Sequence, residues 1–165
     1  MEKTLRVINS LESEGIIGRY AIGGAIGLLF YAEPAITYDL DIFCYLPQSG
    51  TIIDLGPLYK RLAELGYKAT PGEHINVENI PVQFLPPTTN LVQEALDNSV
   101  KKSFEDVSTR VFQYEHLLAI MAETGRAKDK ARIALALESA QPDKSKLEDI
   151  LRRHNLLDKW SKMTI

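Results

Sequence analysis

The chain has 165 residues, of which 45% are hydrophobic and 25% charged, and its net charge is −3. This composition is typical of one ordinary globular domain and excludes disordered, collagen-like and low-complexity proteins. The single cysteine, Cys44, excludes an intramolecular disulfide and any metal site built from several cysteines. The longest uncharged apolar run, residues 21–32, is too short to span a bilayer, and the N-terminus lacks the pattern of a secretory signal. We therefore expect a cytoplasmic protein without membrane contact.

The first half of the chain predicts alternating helices and strands. Apolar residues at a spacing near 3.6 mark the helices, and short runs of β-branched and aromatic residues mark the strands. The predicted helices end at Gly15 or span 25–31 and 55–65, and the predicted strands span 20–22, 40–46, 67–69, 75–77 and 81–85. A tight turn at Glu78-Asn79 joins the last two strands.

After Pro86-Pro87 the pattern changes to helices that are interrupted by one short strand. The helices are predicted over 90–97, 114–124, 128–139 and 143–154, and the strand over 109–112. Asp143 is a suitable N-cap for the last of these helices. We therefore expect an α+β core over residues 1–112 and a C-terminal helical segment over 113–165 that packs on the core as one unit.

Charge is unevenly distributed between these parts. Residues 1–125 carry 9 basic and 16 acidic side chains, a balance of −7, whereas residues 126–165 carry 10 basic and 6 acidic side chains, a balance of +4. A basic C-terminal segment could bind phosphate-bearing ligands, or it could be the solvated surface of ordinary helices.

Asp39-Leu40-Asp41 is the most informative motif in the sequence. Side chains alternate along a strand, so Asp39 and Asp41 share one face while Leu40 and Ile42 share the other. Two carboxylates this close repel each other, and a bound Mg²⁺ would relieve the repulsion because hard cations prefer carboxylate oxygens. An isolated pair could equally be the solvated end of a strand, so the sequence context decides between the two interpretations.

A pair of glycines provides that context. Gly24 lies 15 residues before Asp39, where the first predicted strand turns into a helix. Glycine allows the backbone to approach a ligand closely, and a helix N-terminus offers unpaired N–H groups to phosphate. Residues 23–27 match neither the G-x-G-x-x-G dinucleotide fingerprint nor a P-loop.

This arrangement resembles the polymerase β-like nucleotidyltransferase superfamily, in which a Gly-Gly or Gly-Ser turn precedes Asp-x-Asp on the next strand. The matching segments are Ile22-Gly23-Gly24-Ala25 and Thr37-Tyr38-Asp39-Leu40-Asp41-Ile42. Thr37 and the later segment Gly125-Arg126-Ala127-Lys128-Asp129 are similar to the AbiEii/AbiGii-toxin or minimal nucleotidyltransferase branch. The resemblance covers residues 18–137 and implies a mixed β-sheet flanked by helices, followed by a short C-terminal helical segment.

The resemblance also implies roles for individual residues. Asp39 and Asp41 would be the catalytic residues and would hold one or two Mg²⁺ or Mn²⁺ ions. The implied nucleotide-binding residues are Gly23, Gly24, Thr37, Gln83, Arg126 and Lys128. The implied reaction is in-line attack of a hydroxyl on the α-phosphorus of a nucleoside triphosphate, with pyrophosphate leaving. The hydroxyl could belong to a small molecule, a protein or an RNA.

Three positions depart from the family pattern. Ala25 stands where active relatives carry Ser or Thr, and Ala35 stands where the toxin branch often carries Arg. Gln83 takes the place of the expected third carboxylate, and an amide cannot act as a general base. Glu73 and Glu78 are the nearest acids along the chain, both in predicted turns.

Several interpretations remain open from the sequence alone. The chain could be a catalyst, a non-catalytic nucleotide-binding or toxin–antitoxin-type interaction module, or a globular domain whose acids are incidental. Arg126 and Lys128 could form a positive wall over the triphosphate, or they could be surface charges with Asp129 paired locally. The three histidines, His74, His116 and His154, lack the spacing of metal ligands.

Overall fold

The computed structural model describes residues 1–33, 37–69 and 74–165. The helices are α1 (Glu2–Ser13), α2 (Gly24–Leu28), α3 (Gly56–Glu64), α4 (Asn90–Asp97), α5 (Tyr114–Thr124), α6 (Ala127–Ser139), α7 (Lys144–Arg153) and α8 (Leu157–Met163). The strands are β1 (Tyr20–Ile22), β2 (Leu40–Cys44), β3 (Gln48–Ser49), β4 (Ile52–Ile53), β5 (Ile75–Val77), β6 (Ile80–Leu85), β7 (Val100–Phe104) and β8 (Val107–Val111). No helix within the three described ranges has the length and apolar character needed to cross a bilayer.

Six of the strands form one mixed β-sheet in the order β5-β6-β2-β1-β8-β7. At its centre, β2 runs antiparallel to β1 and parallel to β6, and β1 runs parallel to β8. Antiparallel hairpins, β5–β6 and β7–β8, form the two edges. Helices cover both faces of the sheet, which confirms the predicted α+β class with a mixed sheet flanked by helices.

The two faces of β2 contribute to two different hydrophobic cores. Leu40, Ile42 and Cys44 are fully buried in a core that includes apolar side chains of α1 and α3. Phe43 points to the opposite face and packs against a second core built from α4, α5, α6 and α7. Because side chains alternate along a strand, Asp41 also lies on this second face. The candidate site is therefore on the side of the sheet that α5 covers.

The C-terminal helices make extensive contacts with the rest of the chain. Eight of the eleven residues of α5 are buried, because this helix lies between the sheet and several other helices. The Glu94 carboxylate on α4 contacts His116 (3.1 Å) on α5, Arg153 (2.7 Å) on α7 and His154 (2.8 Å) just after α7. On the basis of these contacts, we propose that residues 1–112 and 113–165 fold as one unit.

Two sequence-based predictions about strands need correction. The strand predicted at 67–69 was wrong, because Ala69 forms only an isolated bridge with Ile75. Only one strand, 109–112, was predicted between α4 and α5, whereas the structure has the β7–β8 hairpin there. Its first strand was missed because Lys101 and Lys102 interrupt the apolar pattern of an edge strand that is partly exposed on both faces. The small β3–β4 hairpin and the short helix α8 were not predicted either.

Candidate active site

A pocket of about 470 Å³ lies between the sheet and the connection from α5 to α6, and we call it the central pocket. Its polar lining consists of Thr37, Asp39, Asp41, His74, Gln83, Thr124, Arg126, Lys128, Asp129 and Arg132. Gly24 and Ala25 border this polar part, and apolar side chains of β2, β6 and α5 form the rest. The structure thus brings most of the sequence-predicted site residues together, and their functional roles remain predictions.

The two aspartates lie where the strand pattern placed them. Asp39 immediately precedes β2 and Asp41 is its second residue, with both side chains on the pocket face. The backbone N–H of Gly23 donates a hydrogen bond to the carbonyl oxygen of Asp41 (3.0 Å), which joins β2 to the turn before α2. Asp41 is therefore held by a central strand of the sheet, and Asp39 occupies the position directly before that strand.

Gln83 occupies the neighbouring position on the next strand. In the parallel pairing of β2 with β6, Gln83 is directly opposite Asp41, and the fully buried Val82 is opposite Leu40. Gln83 therefore lines the central pocket beside the aspartates. An amide oxygen at this position can ligate a cation but carries no negative charge.

The glycine pair has a steric role that the sequence did not reveal. Gly24 has a left-handed backbone conformation (φ +58°), and an added Cβ atom would lie 2.1 Å from Oδ2 of Asp41. At Gly23, an added Cβ atom would lie 2.5 Å from the ring of Phe43. Gly24 therefore allows the Asp41 carboxylate to approach the start of α2. Gly23 leaves room for the ring of Phe43, which lines the pocket. Phosphate contact by either glycine stays a prediction.

The electrostatic surroundings of Asp41 favour a bound cation. Burial raises the pKa of the Asp41 carboxyl group, the negative charge of Asp39 raises it further, and the positive charges of nearby Arg132 and Arg126 oppose this increase. Oxygen donors of this kind suit Mg²⁺ or Mn²⁺. Within the described ranges, no three His, Cys, Asp or Glu side chains are grouped so that they could hold a metal alone. Asp39 and Asp41 would therefore supply two ligands, and water or phosphate oxygens would supply the others.

Opposite the aspartates, the start of α6 forms a positively charged wall. Gly125 ends α5 in a left-handed conformation (φ +65°), and Arg126 is the N-cap of α6. The fully buried Asp129 accepts hydrogen bonds from Arg126 Nε (2.6 Å) and Nη2 (3.1 Å) and from the Thr124 hydroxyl (2.8 Å). The local pairing of Asp129 and the location of Arg126 and Lys128 at the pocket are thus both observed.

Two further residues of the central pocket, Arg132 and His74, were not predicted from the sequence as site residues. Arg132 lies one turn after Asp129 on α6, with Nη1 at 3.5 Å from Oδ1, so its helical spacing from Asp129 was a usable signal. His74 lies just before β5, with Nε2 at 3.7 Å from Oδ2 of Asp39. No local sequence pattern predicts that His74 lies at the pocket. Its proximity to Asp39 depends on two strand pairings, β6 with β2 and β5 with β6.

The acids considered as substitutes for a third carboxylate lie elsewhere. Glu78 is in the turn between β5 and β6, where its carboxylate accepts a hydrogen bond from the Tyr67 hydroxyl (2.5 Å). Glu73 and Ala35, both singled out in the sequence, fall outside the described residues.

Replacing Gly24 with Ala should weaken divalent-metal binding by more than about tenfold, because the new methyl group displaces the Asp41 carboxylate. The positive φ adds a loss of stability of about 1–2 kcal/mol. Gly50→Ala is the matched control, since Gly50 has φ +64° but no heavy atom within 4 Å of an added Cβ atom. Thermal denaturation of both variants measures the cost of the backbone strain, and Mn²⁺ calorimetry measures the effect of displacing the Asp41 carboxylate. Equal Mn²⁺ affinity of the two variants would contradict the steric role of Gly24.

Comparisons with known proteins support the fold. No protein-family model and no curated protein matches the sequence. Among solved structures, the chain is similar to an antigenic nucleotidyltransferase-like protein from Paracoccidioides brasiliensis, with a TM-score of 0.56, 14% identity, and coverage of 96% of this chain and 92% of that one. It is also similar to the solution structure of the antibiotic-resistance factor ANT(2'')-Ia, with a TM-score of 0.51, 14% identity, and coverage of 99% of this chain and 96% of that one. For the structure of ANT(2'')-Ia in complex with adenylyl-2''-tobramycin, the TM-score is 0.54 and the identity 13%, with coverage of 92% of this chain and 96% of that one. The chain therefore has a nucleotidyltransferase-like fold.

Proposed function

We propose that the protein is a Mg²⁺-dependent nucleotidyltransferase that moves a nucleoside monophosphate from a nucleoside triphosphate to a hydroxyl group. The observation that carries this proposal is that Asp39 and Asp41 line one pocket together with three cationic side chains, Arg126, Lys128 and Arg132. Paired carboxylates suit a divalent cation, and guanidinium and ammonium groups suit phosphate oxygens. The fold is compatible with this chemistry but does not establish it.

Each part of the pocket has a defined task in this proposal. A bound Mg²⁺ would neutralise developing charge on the phosphate oxygens. Asp39 and Asp41 would hold that cation at the start of β2, and Arg126 and Lys128 would bind the departing phosphates. The acceptor oxygen forms the new bond to the α-phosphorus, pyrophosphate leaves with the electron pair of the broken P–O bond, and the acceptor proton passes to water. Positioning and charge neutralisation do most of the work in such transfers.

The acceptor is proposed only as a hydroxyl-bearing molecule. ANT(2'')-Ia was solved in complex with adenylyl-2''-tobramycin. We extend from that protein to this one only the hydroxyl as acceptor group, so a small molecule, a protein and an RNA all remain candidates. Membership of the AbiEii/AbiGii-toxin or minimal nucleotidyltransferase branch and a cytoplasmic location belong to the same proposal.

A second candidate function is a nucleotide-binding or toxin–antitoxin-type interaction module without turnover. The observation that favours it is Gln83, which stands opposite Asp41 in the position expected for a third carboxylate. Ala25 adds to this, because it lines the pocket without the hydroxyl that could reach a phosphate. Both candidates predict nucleotide binding, and only the first predicts transfer.

A thermal-shift and transfer experiment tests the two candidates. At one hundred times its dissociation constant, a nucleoside triphosphate with Mg²⁺ should add about 2.7 kcal/mol of stability, which corresponds to roughly 5–10 °C for a chain of this size. The same nucleotide with EDTA is the control and should give a much smaller shift. Transfer of labelled α-phosphate to metabolite, protein and RNA pools then separates the catalyst from the module. If none of the four ribonucleotides raises the melting temperature with Mg²⁺ present, both candidates are wrong.

A further inference from the structure

Asp129 is a buried charged residue for which the proposed reaction has no direct use. Its side chain borders the central pocket but is 0% exposed, and both of its carboxylate oxygens already have partners within the protein. Burial alone would raise the pKa of its carboxyl group, but hydrogen bonds from Arg126 and Thr124 outweigh burial and the pKa is lowered. A buried carboxylate is tolerated only when it is well paired, so the partners of Asp129 indicate its role.

Those partners are two arginines that line the central pocket. Arg126 donates two hydrogen bonds to Asp129 in a forked arrangement, and Arg132 forms an ion pair with the same carboxylate at 3.5 Å. We propose that Asp129 is a positioning residue that presents Arg126 and Arg132 as a paired guanidinium site for the β- and γ-phosphates of the nucleotide. This inference rests on the proposed function, because it names how that site would hold the triphosphate.

Both arginines keep N–H donors that could bind a ligand. A guanidinium group has five N–H donors, and Arg126 uses two of them on Asp129. The Arg126 side chain is 54% exposed, so its other donors are accessible from the pocket. Arg132 is more enclosed, at 16% exposed, and its position is correspondingly better defined. Asp129 thus occupies some of the N–H donors of these guanidinium groups, and the remaining donors are available to an anion in the pocket.

The location of the pair identifies the anion. Both guanidinium groups line the same pocket as Asp39 and Asp41, and they are close enough to Asp41 to oppose the increase in its pKa. A nucleotide with its α-phosphate at Asp39 and Asp41 would extend its β- and γ-phosphates towards this wall. Lys128 adds a third positive charge there, against the single buried carboxylate of Asp129. Forked N–H donors match the non-bridging oxygens of phosphate groups.

Ligand binding by Asp129→Asn tests the proposal directly. With Mg²⁺ present, the variant should bind nucleoside triphosphate and inorganic pyrophosphate about tenfold to a hundredfold more weakly than the wild type, since the guanidinium groups lose their anchor. Binding of the nucleoside monophosphate should change less than about twofold, because the pair faces the β- and γ-phosphates. In the transfer assay, KM for the triphosphate should rise more than kcat falls.

Glu115→Gln is the matched control for structural damage. Glu115 lies on α5 and is also nearly buried, at 10% side-chain exposure, where it pairs with Lys146 (3.2 Å) away from the central pocket. Its loss should lower the melting temperature and leave the affinities for triphosphate and pyrophosphate unchanged. An Asp129→Asn variant that behaves in the same way would overturn the positioning role.

Arg132→Gln keeps the experiment decisive if Asp129→Asn fails to fold. It retains the bond between Asp129 and Arg126, and it should weaken triphosphate and pyrophosphate binding but not monophosphate binding. Where both variants fold, the double variant should lose less affinity than the sum of the two single losses, because Asp129 acts through Arg132.

Unchanged triphosphate binding in Arg132→Gln overturns the proposal. So does a loss confined to a single-stranded RNA oligonucleotide, which would assign the pair to an acceptor backbone. Absence of triphosphate binding by the wild type is a different outcome and overturns the proposed function itself.

Discussion

Replacing Asp39 and Asp41 together with Asn should abolish binding of Mn²⁺ or Mg²⁺ and reduce nucleotidyl transfer by about a thousandfold or more. An asparagine oxygen keeps the shape of the site but removes both negative charges that hold a hard cation. The metal-free variant should melt at the same temperature as the wild type or higher, because burial and the charge of Asp39 already disfavour the ionised form of Asp41. Calorimetric titration with Mn²⁺ and a melting curve measure both effects.

Asp97→Asn is a suitable control for this double variant. Asp97 is an exposed carboxylate at the end of α4, where it accepts a hydrogen bond from the Tyr45 hydroxyl (2.5 Å) outside the central pocket. Its replacement should leave the heat of Mn²⁺ binding unchanged. Equal heats for the wild type and the Asp39→Asn/Asp41→Asn variant would show that the aspartates are not the metal site.

Gln83→Asp should tighten Mg²⁺ binding and raise any nucleotidyl transfer. The residue stands opposite Asp41 in the β2–β6 pairing, so a carboxylate there would be a third negative ligand in the pocket. It would also supply a base near the attacking hydroxyl, and a positioned base typically contributes a hundredfold to ten-thousandfold. The assay is transfer of labelled α-phosphate by the wild type, Gln83→Asp and Gln83→Ala, with the metal affinity of each measured in parallel.

The third protein in this series separates two roles for the native amide. Gln83→Ala should leave nucleotide affinity unchanged if the residue is a bystander and weaken it if the amide binds the ligand. A Gln83→Asp variant with tighter metal binding but no transfer would favour the module without turnover over the catalyst. Should the aspartate variant bind metal no better than the wild type, position 83 would not belong to the metal site.

Short-range patterns were sufficient to predict most of the elements and one half of the central pocket. The alternation of side chains placed Asp39 and Asp41 on the face opposite the buried Leu40, and the structure has this arrangement. The boundary between α5 and α6 lies between the predicted helices 114–124 and 128–139, where Gly125 ends α5 in a left-handed conformation. These features depend on strand periodicity and on backbone preferences, which act over a few residues.

Edge strands and small elements were harder to predict for an identifiable reason. The strand β7 carries Lys101 and Lys102 because it is at the edge of the sheet, where the polar pattern resembles a loop. Its strand conformation follows from pairing with β8, and no local preference within β7 requires it. The strand predicted at 67–69 failed in the opposite sense, since its alternating pattern suited a strand, but among the residues that the structure describes only Ala69 pairs, through an isolated bridge to Ile75.

The sequence by itself thus determined the α+β class, the common face of Asp39 and Asp41 and the glycine turn before α2, because all of these arise from local periodicity. Only the tertiary structure decided that His74 and Arg132 border the same pocket and that Gly24 is required by the Asp41 carboxylate. It also showed that Asp129 is buried beneath two arginines. These relations join residues that are distant along the chain or on separate elements. They depend on strand pairing and on the packing of α5 and α6 over the sheet, which no local pattern encodes.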